Sequence, residues 1–411
     1  MISLSAVHSF LACCLVLVIG RVLTSRVSFL SKYSIPDPIV GGLLFALAMY
    51  FLGTWANVQV SLETSIKPTL LLLFFSCIGL TANLKLLAAG GPRLAAFLLA
   101  LAPFLILQNA VGLGMAWVLD LHPLMGLVGG SITLVGGHGT GAAYAARFAD
   151  INNIQDIMAL AMTAATMGLV LGGIVGGPVA EWLIKRHGLN SKPQPAKTTS
   201  RGSAAQAQTP PEPESESESD KVEASSVVTS LAAAFVCLAL GSVIAGWVDG
   251  APVSLPNFLW CLAVGIIIRN AGPRVGIVLN DRATDIIGSL SLALFLGFTM
   301  MTLDLGSVMR LAGPLALMLL VQTVVVVLYV VLVVFRMLKK DYEAAIMSAA
   351  FCGFSMGATA TAIANMQALV HRHGPAPQAF IVVPVTGAFL VDIMNVIVLT
   401  SMLALPFVGG I

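Results

Sequence analysis

The stretch VGGHGTGAAYAA, Val135 to Ala146, lies in one of the most apolar regions of a 411-residue chain, yet four glycines and a histidine interrupt it. Glycine inside a helix costs about 1 kcal/mol relative to alanine. A segment that had only to span a bilayer would not carry four of them. The stretch therefore reads as the tip of a segment that enters the membrane as a half-helix and turns back. A second stretch of the same kind, CGFSMGATATAIAN (Cys352 to Asn365), lies in the other half of the chain.

The surrounding composition sets the medium. Hydrophobic residues make up 58% of the chain and charged residues 10%, against about 25% charged in a soluble domain, and the mean hydropathy is +0.95. The chain is therefore a multi-pass membrane protein. A formal net charge of +2 with no basic tract excludes nucleic acid as a partner. The six cysteines sit in or beside apolar runs without C-x-x-C spacing, which speaks against a metal site or a disulfide framework. The first apolar run, Val7 to Gly20, lacks a basic flank before it and an A-x-A site after it. It reads as a retained first span with its N-terminus outside, not as a signal peptide.

A bilayer core of about 30 Å needs roughly 20 apolar residues per helix. Ten segments meet or approach that length: 7–23, 37–53, 69–84, 94–118 and 157–184, then 227–248, 255–269, 287–303, 311–335 and 378–405. Residues 123–148 and 342–368 remain as broken apolar stretches, each between the fourth and fifth span of its half. Residues 189–226, with PQPAKTTSRGSAAQAQTPPEPESESESD at their centre, cannot bury enough apolar surface to fold and read as a disordered hydrophilic linker. Three parts follow: a five-span repeat over 1–188, the linker, and a second five-span repeat over 227–411.

Basic residues follow the odd-numbered spans (Arg21, Arg26, Lys85, Arg93, Lys185, Arg186, Arg269, Arg274, Arg336, Lys339, Lys340). The positive-inside rule then places those connections and the linker in the cytoplasm and both termini outside, with Arg310 a mild exception. Because each half has an odd number of spans, the halves insert upside down relative to each other, as in inverted-repeat transporters. Similar entries support the repeat: SIPDPIVGG beside VSLPNFLWC, and LAAGGPRLAAFLLA beside MRLAGPLALMLL. Placing Gly139 over Gly357 aligns the broken stretches.

Each broken stretch has room for two half-helices of about 10–12 residues, roughly 18 Å at 1.5 Å per residue. Non-helical backbone at that depth is tolerated only where protein or a wet cavity surrounds it. Half-helix N-termini offer unpaired N–H groups to an anion, and freed carbonyls can hold a cation. The pattern thus suits an anionic substrate carried with a cation, and the alternative is that the glycines only let helices pack closely. Asp392 lies deep in the last span with Asn395 at i+3 on the same face, a start for a cation site, or else a protonated partner in an interhelical hydrogen bond. Ser355, Thr359, Thr361 and Asn365 add oxygens, although back-bonding to the i−4 carbonyl is expected for at least half of the serines and threonines here, Ser131 and Thr133 included. His138 either donates to a carboxylate or titrates, or satisfies the turn. Gln108, Asn109 and Gln322 read as interhelical hydrogen bonds. No Ser or Asp pair with a base suggests an enzyme, and the spans hold too few polar residues for a channel.

The motifs GSITLVGGHGTGAA, CGFSMGATATAIANMQ, VSFLSKYSIPDPIVGGLL and LVDIMNV resemble those of the bacterial sodium/glutamate symporter family over nearly the whole chain. The resemblance implies an all-α inner-membrane carrier of two inverted five-helix repeats, each with a re-entrant hairpin. It implies sodium-coupled glutamate uptake by a homodimer working as an elevator, with sodium as coupling ion and no other cofactor. A related carrier of another organic anion, such as a dicarboxylate, is the alternative. On that basis Gly136, Gly137, His138, Gly139, Thr140, Gly141, Ser355, Gly357 and Thr359 are the expected substrate contacts. Thr361, Asn365, Asp392 and Asn395 are the expected sodium ligands. Two positions depart from the family pattern: Val135 stands where a small polar residue is expected, and Ala360 where the family often has proline.

Overall fold

A computed structural model describes residues 2–33, 35–56, 60–152, 154, 156–191, 223–248, 256–277 and 279–405. Most of the linker assigned to 189–226 falls outside the described residues. The fold is all-α. The helices are α1 (Ala6–Arg26), α2 (Ser28–Lys32), α3 (Asp37–Ala56), α4 (Lys67–Thr81), α5 (Leu86–Val118), α6 (Pro123–Leu127), α7 (Gly137–Asn152), α8 (Ile157–His187), α9 (Ala224–Val248), α10 (Asn257–Ala271), α11 (Asp281–Met301), α12 (Leu305–Tyr329), α13 (Phe335–Met337), α14 (Tyr342–Met356), α15 (Thr359–His373), α16 (Ala379–Val385) and α17 (Val391–Leu403). Strands β1 (Ile2–Ser3) and β2 (Val60–Ser61) form a short parallel pair.

Among the described residues eight helical stretches are long and apolar enough to cross a membrane. All ten expected spans are helical, but the third and seventh are shorter than spans. α4 and α10 have 15 residues each, about 22 Å at 1.5 Å per residue. They pack closely on each other: Gly79 of α4 lies against Leu262 O and Gly265 of α10, and Gly265 lies against Ser76 O. A helix surrounded by other helices need not match the bilayer thickness by itself. The fifth span is longer than expected, running 31 residues through Pro178 to a left-handed Gly188.

The helices assemble into two bundles, and each bundle draws on both halves of the chain. In the first, α4 packs on α10 and α11, α1 on α3, and α9 on α10. In the second, α8 packs on α7, α12, α14 and α15, and α5 packs on α6, α12, α16 and α17. The bundles meet mainly where α4 touches the π-helical turn Thr386–Leu390, α11 touches α7, and α12 touches α3. Large apolar side chains cover the outer surface, as lipid contact requires. Trp55, Trp117 and Trp247 at the C-terminal ends of α3, α5 and α9 are 86%, 85% and 82% exposed, the placing expected of an interfacial aromatic belt.

Polar contacts join loops that the charge pattern assigns to one side of the membrane. Arg93 pairs with Asp341 at 2.5 Å. Asn270 Nδ2 donates to Ala82 O at 2.8 Å, and its Oδ1 accepts from Leu84 N at 3.0 Å. Ser191 Oγ donates to Pro375 O at 2.8 Å. At the opposite end β1 pairs with β2. There too Arg310, the exception in the charge pattern, reaches Asp156 at 3.4 Å and Asp304 at 3.8 Å. The two carboxylates offset its charge locally, although the positive-inside rule counts Lys and Arg irrespective of acidic neighbours.

Three glycines of α8, spaced one turn apart, set how close the second broken stretch can come. A Cβ on Gly168 would overlap Met356 O, one on Gly172 would lie 3.1 Å from Met356 Cβ, and one on Gly176 would overlap the Asn365 amide. Gly168→Ala should therefore push the end of α14 off α8, at a cost of about 1–3 kcal/mol for overpacking. It should lower the melting temperature of the detergent-solubilised protein. Gly177→Ala, where a Cβ meets open space, is the matched control and should leave it unchanged or raise it slightly through helix propensity.

Candidate functional site

Both broken stretches are helix–turn–helix units. In the first, α6 begins with Leu124 N capped by His122 Nδ1 at 3.2 Å. It passes into a π-helical turn, Val128–Ile132, in which Gly130 is non-helical at φ −101 and ψ −135. Single π turns recur at functional sites. The chain breaks at Val135–Gly136, where both backbone N–H groups fold back onto Ser131 O at 3.2 and 3.0 Å. Gly137 has φ +66, a conformation that favours glycine, and α7 starts there. In the second, Asp341 caps α14 through Ala344 N at 2.8 Å, the helix ends at Met356, and Gly357–Ala358 turn the chain into α15. Ala358 offers no side-chain cap. Tyr342 Oη donates to Gly374 O at 2.5 Å, so the chain leaves this unit beside the point where it entered.

The two turns meet. A Cβ on Gly137 would have Gly357 O as its nearest neighbour, at 3.8 Å. Two amide clamps hold them. Asn395 Oδ1 accepts from Ser131 Oγ at 2.6 Å, and Asn395 Nδ2 donates to Ser131 O at 3.0 Å. Asn109 Oδ1 accepts from Ser131 N at 3.0 Å. Next to it on α5, Gln108 Nε2 donates to Ser355 O at 2.8 Å, while Gln322 Nε2 of α12 donates to Gln108 O at 2.9 Å. Adjacent residues of α5 thus hold one broken stretch each, and all these side chains are buried.

The remaining expected site residues divide. Asn365 Nδ2 donates to Gly172 O at 2.9 Å and Ala349 O at 3.4 Å. Thr359 Oγ1 donates to Gly387 O in the π turn of the last span at 3.2 Å. Thr361 Oγ1 and Ser355 Oγ are buried without a hydrogen-bond partner among the described residues. Of Ser131, Thr133, Ser355, Thr359 and Thr361, only Thr133 bonds back locally, to Val128 O at 2.6 Å. The expectation that half or more would do so fails because the helices stop or unwind just where these residues sit. His138 contacts Thr166 of α8, with Nε2 to Oγ1 at 3.0 Å. The Thr166 hydroxyl donates to Met162 O at 2.8 Å, so His138 Nε2 is the donor. Gly139 and Gly141 lie inside α7, where a Cβ would press on Phe74 at 2.6 Å and Thr133 at 3.0 Å; Gly136 and Thr140 are in mutual contact.

Asp392 stands one turn before Asn395, directly after the π turn Thr386–Leu390. It is half-buried and makes no hydrogen bond or ion pair with the described residues. An unpaired carboxylate in a membrane span is costly, and such residues face a cavity or a pathway. Two partners went unnoticed in the sequence. Thr166 lies in a plain apolar helix and gives no signal. The π turn of the last span was announced by Pro384 and Gly387 in VVPVTGAFLVD.

A polytopic helical bundle in which two broken helices meet tip to tip, beside a lone carboxylate in a span, has the build of a secondary transporter. The sequence pattern of the Sodium/glutamate symporter family matches residues 2–375. The chain is 41% identical over 411 residues, all of both chains, to a sodium/glutamate symporter of Escherichia coli strain K12, and equally to one of Shigella flexneri. It is 36% identical over 382 residues, 93% of each chain, to one of Haemophilus influenzae. The chain belongs to the sodium/glutamate symporter family. Among solved structures, a sodium proton antiporter from Methanocaldococcus jannaschii aligns over 98% of this chain and 99% of its own, at 14% identity and a TM-score of 0.42.

Proposed function

We propose that the protein carries glutamate into a bacterial cell together with sodium, by an elevator-type movement of the second bundle against the first. The observation that carries the reading is the meeting of the Gly137 and Gly357 turns in the bundle that also holds Asp392 and Asn395. Helices α7 and α15 both start at those turns, and their free N–H groups and dipoles favour the substrate carboxylates. Gly136 to Gly141, Gly357 and Thr359 form this substrate region. Asp392 and the unpartnered Thr361 hydroxyl supply oxygens to sodium, while Asn365 and Asn395 fix the backbone around them.

In this reading the two broken stretches are re-entrant hairpins of inverted five-helix repeats, 1–188 and 227–411. Their second arms start at Gly137 and Thr359, the same separation along the chain as Pro92 and Pro314. That spacing sets Gly137 over Thr359, not Gly139 over Gly357. All proposed site residues ride on one bundle, which is what a moving carrier domain requires. The other bundle, with its exposed apolar α1 and α9 faces, would be the scaffold of a homodimer. Periplasmic termini and a cytoplasmic linker in the inner membrane follow from the charge pattern, and the pairing of loops at each end fits the grouping it requires.

The test is glutamate uptake into liposomes holding the purified protein. An inward sodium gradient should drive accumulation, and an inside-negative potential should increase it, since each net charge gains about 2.3 kcal/mol per 100 mV. Uptake indifferent to sodium would overturn the coupling. Equal accumulation of a dicarboxylate would overturn the substrate.

A further inference from the structure

The amide clamp on the second hairpin leaves three buried oxygens over. Gln108 and Gln322 are both fully buried, and each spends its Nε2 on a backbone carbonyl, Ser355 O and Gln108 O respectively. Gln108 Oε1, Gln322 Oε1 and the hydroxyl of fully buried Ser355 have no hydrogen-bond partner among the described residues. Each such group costs about 1–3 kcal/mol if nothing compensates it. Here three lie along one chain of hydrogen bonds that runs from α12 through α5 to the end of α14. Neither amide can turn over, because its oxygen would then face a carbonyl oxygen. The nearby unpartnered donor, Asn109 Nδ2, belongs to the amide that holds Ser131.

The local field has a sign. Ser355 sits in the last turn of α14, which ends at Met356, and the free carbonyls of a helix C-terminus carry partial negative charge. The Ser355 hydroxyl and the Gln108 amide bonded to Ser355 O lie at that end. The Gln322 amide is the next link of the same chain, so that the three oxygens make an acceptor set without a formal charge. Neutral oxygens can replace the hydration shell of a small monovalent cation, whereas calcium sites draw on carboxylates. We propose that Gln108 Oε1, Gln322 Oε1 and Ser355 Oγ bind a second sodium ion, at the junction of α5, α12 and α14 and separate from Asp392. The inference rests on the sodium coupling proposed above. An ion there ties the second hairpin to α5 and α12, so its occupancy is linked to the position of the Gly357 turn.

The test is the sodium dependence of glutamate uptake in liposomes, with sodium-induced stabilisation of the purified protein measured in parallel. Ser355→Ala and Gln322→Met remove one oxygen each. Each should raise half-saturating sodium about tenfold, and the Hill coefficient should fall below the wild-type value as the two ion sites separate in affinity. Gln322→Glu keeps an oxygen and adds charge, and should lower half-saturating sodium. If a variant is too damaged to transport, the melting-temperature shift with sodium still reports binding. Wild-type protein without sodium dependence would sink the coupling itself. Sodium-dependent wild type with all three variants on the same titration curve would show that these oxygens hold only water, and would overturn the second site.

Discussion

Asp392→Asn should abolish sodium-driven glutamate uptake while leaving the protein as stable as before or more so. The substitution keeps the shape of the side chain and removes its charge. In the wild type that charge sits in a membrane span with no hydrogen bond or ion pair among the described residues, which is unfavourable by several kcal/mol. A residue that served only the fold would be better as asparagine. In the proposed reading the carboxylate meets a cation during part of the transport cycle. Breaking a buried charge pair costs about 3–5 kcal/mol, so uptake should fall by at least a hundredfold, at about 1.4 kcal/mol per factor of ten. Sodium should raise the melting temperature of the wild type through linkage, and raise it less in the variant. Wild-type uptake in Asp392→Asn would remove the residue from the ion path.

The parts of this picture that local sequence could carry were legible in it. Span positions follow from apolar length, and the turns follow from glycine clusters in apolar runs. The break falls at Val135–Gly137, inside the quoted stretch, and the second at Gly357–Ala358. The chemical type of Gln108, Asn109 and Gln322 was also readable, because an amide in a span must find a partner. Tertiary pairing was not. That α4 packs so closely on α10 depends on Gly79 and Gly265 touching across the first bundle, and no window of sequence contains both. The bundles themselves mix the two halves, so the linker marks a division of the chain and not of the packing. Gly139 belongs to the stretch read as the tip, but it lies inside α7, where it admits the Phe74 ring. Glycine marks both sharp turns and close contacts, and only the partner distinguishes them.

The geometry of α5 gives the clamps a further meaning. Gln108 and Asn109 are consecutive, so their side chains leave the helix in different directions, and each reaches a different hairpin. A shift of α5 moves both turns together. In the proposed elevator reading, attachment of both broken stretches to one helix would keep a two-turn site intact while its bundle moves.

Asn395→Leu tests that attachment at its most heavily loaded point. Ser131 O accepts from Val135 N, Gly136 N and Asn395 Nδ2, and Ser131 Oγ donates to Asn395 Oδ1. Leucine fills a similar volume but strands the hydroxyl and one contact of that carbonyl, at about 1–3 kcal/mol for each group left unpaired. The Gly137 turn should loosen, and half-saturating glutamate should rise at least about tenfold. Sodium-induced stabilisation through Asp392 should persist in part. Ser131→Ala removes only the hydroxyl and should be milder. In the double variant the two effects should be strongly non-additive, because both act through one contact pair. Asn395→Asp retains an acceptor for the hydroxyl, loses the donor to Ser131 O, and sets a second carboxylate one turn from Asp392. It should impair uptake more than Ser131→Ala does. Additive losses for Asn395→Leu and Ser131→Ala would mean that Asn395 acts on the substrate or the ion directly, not by holding the first hairpin in place.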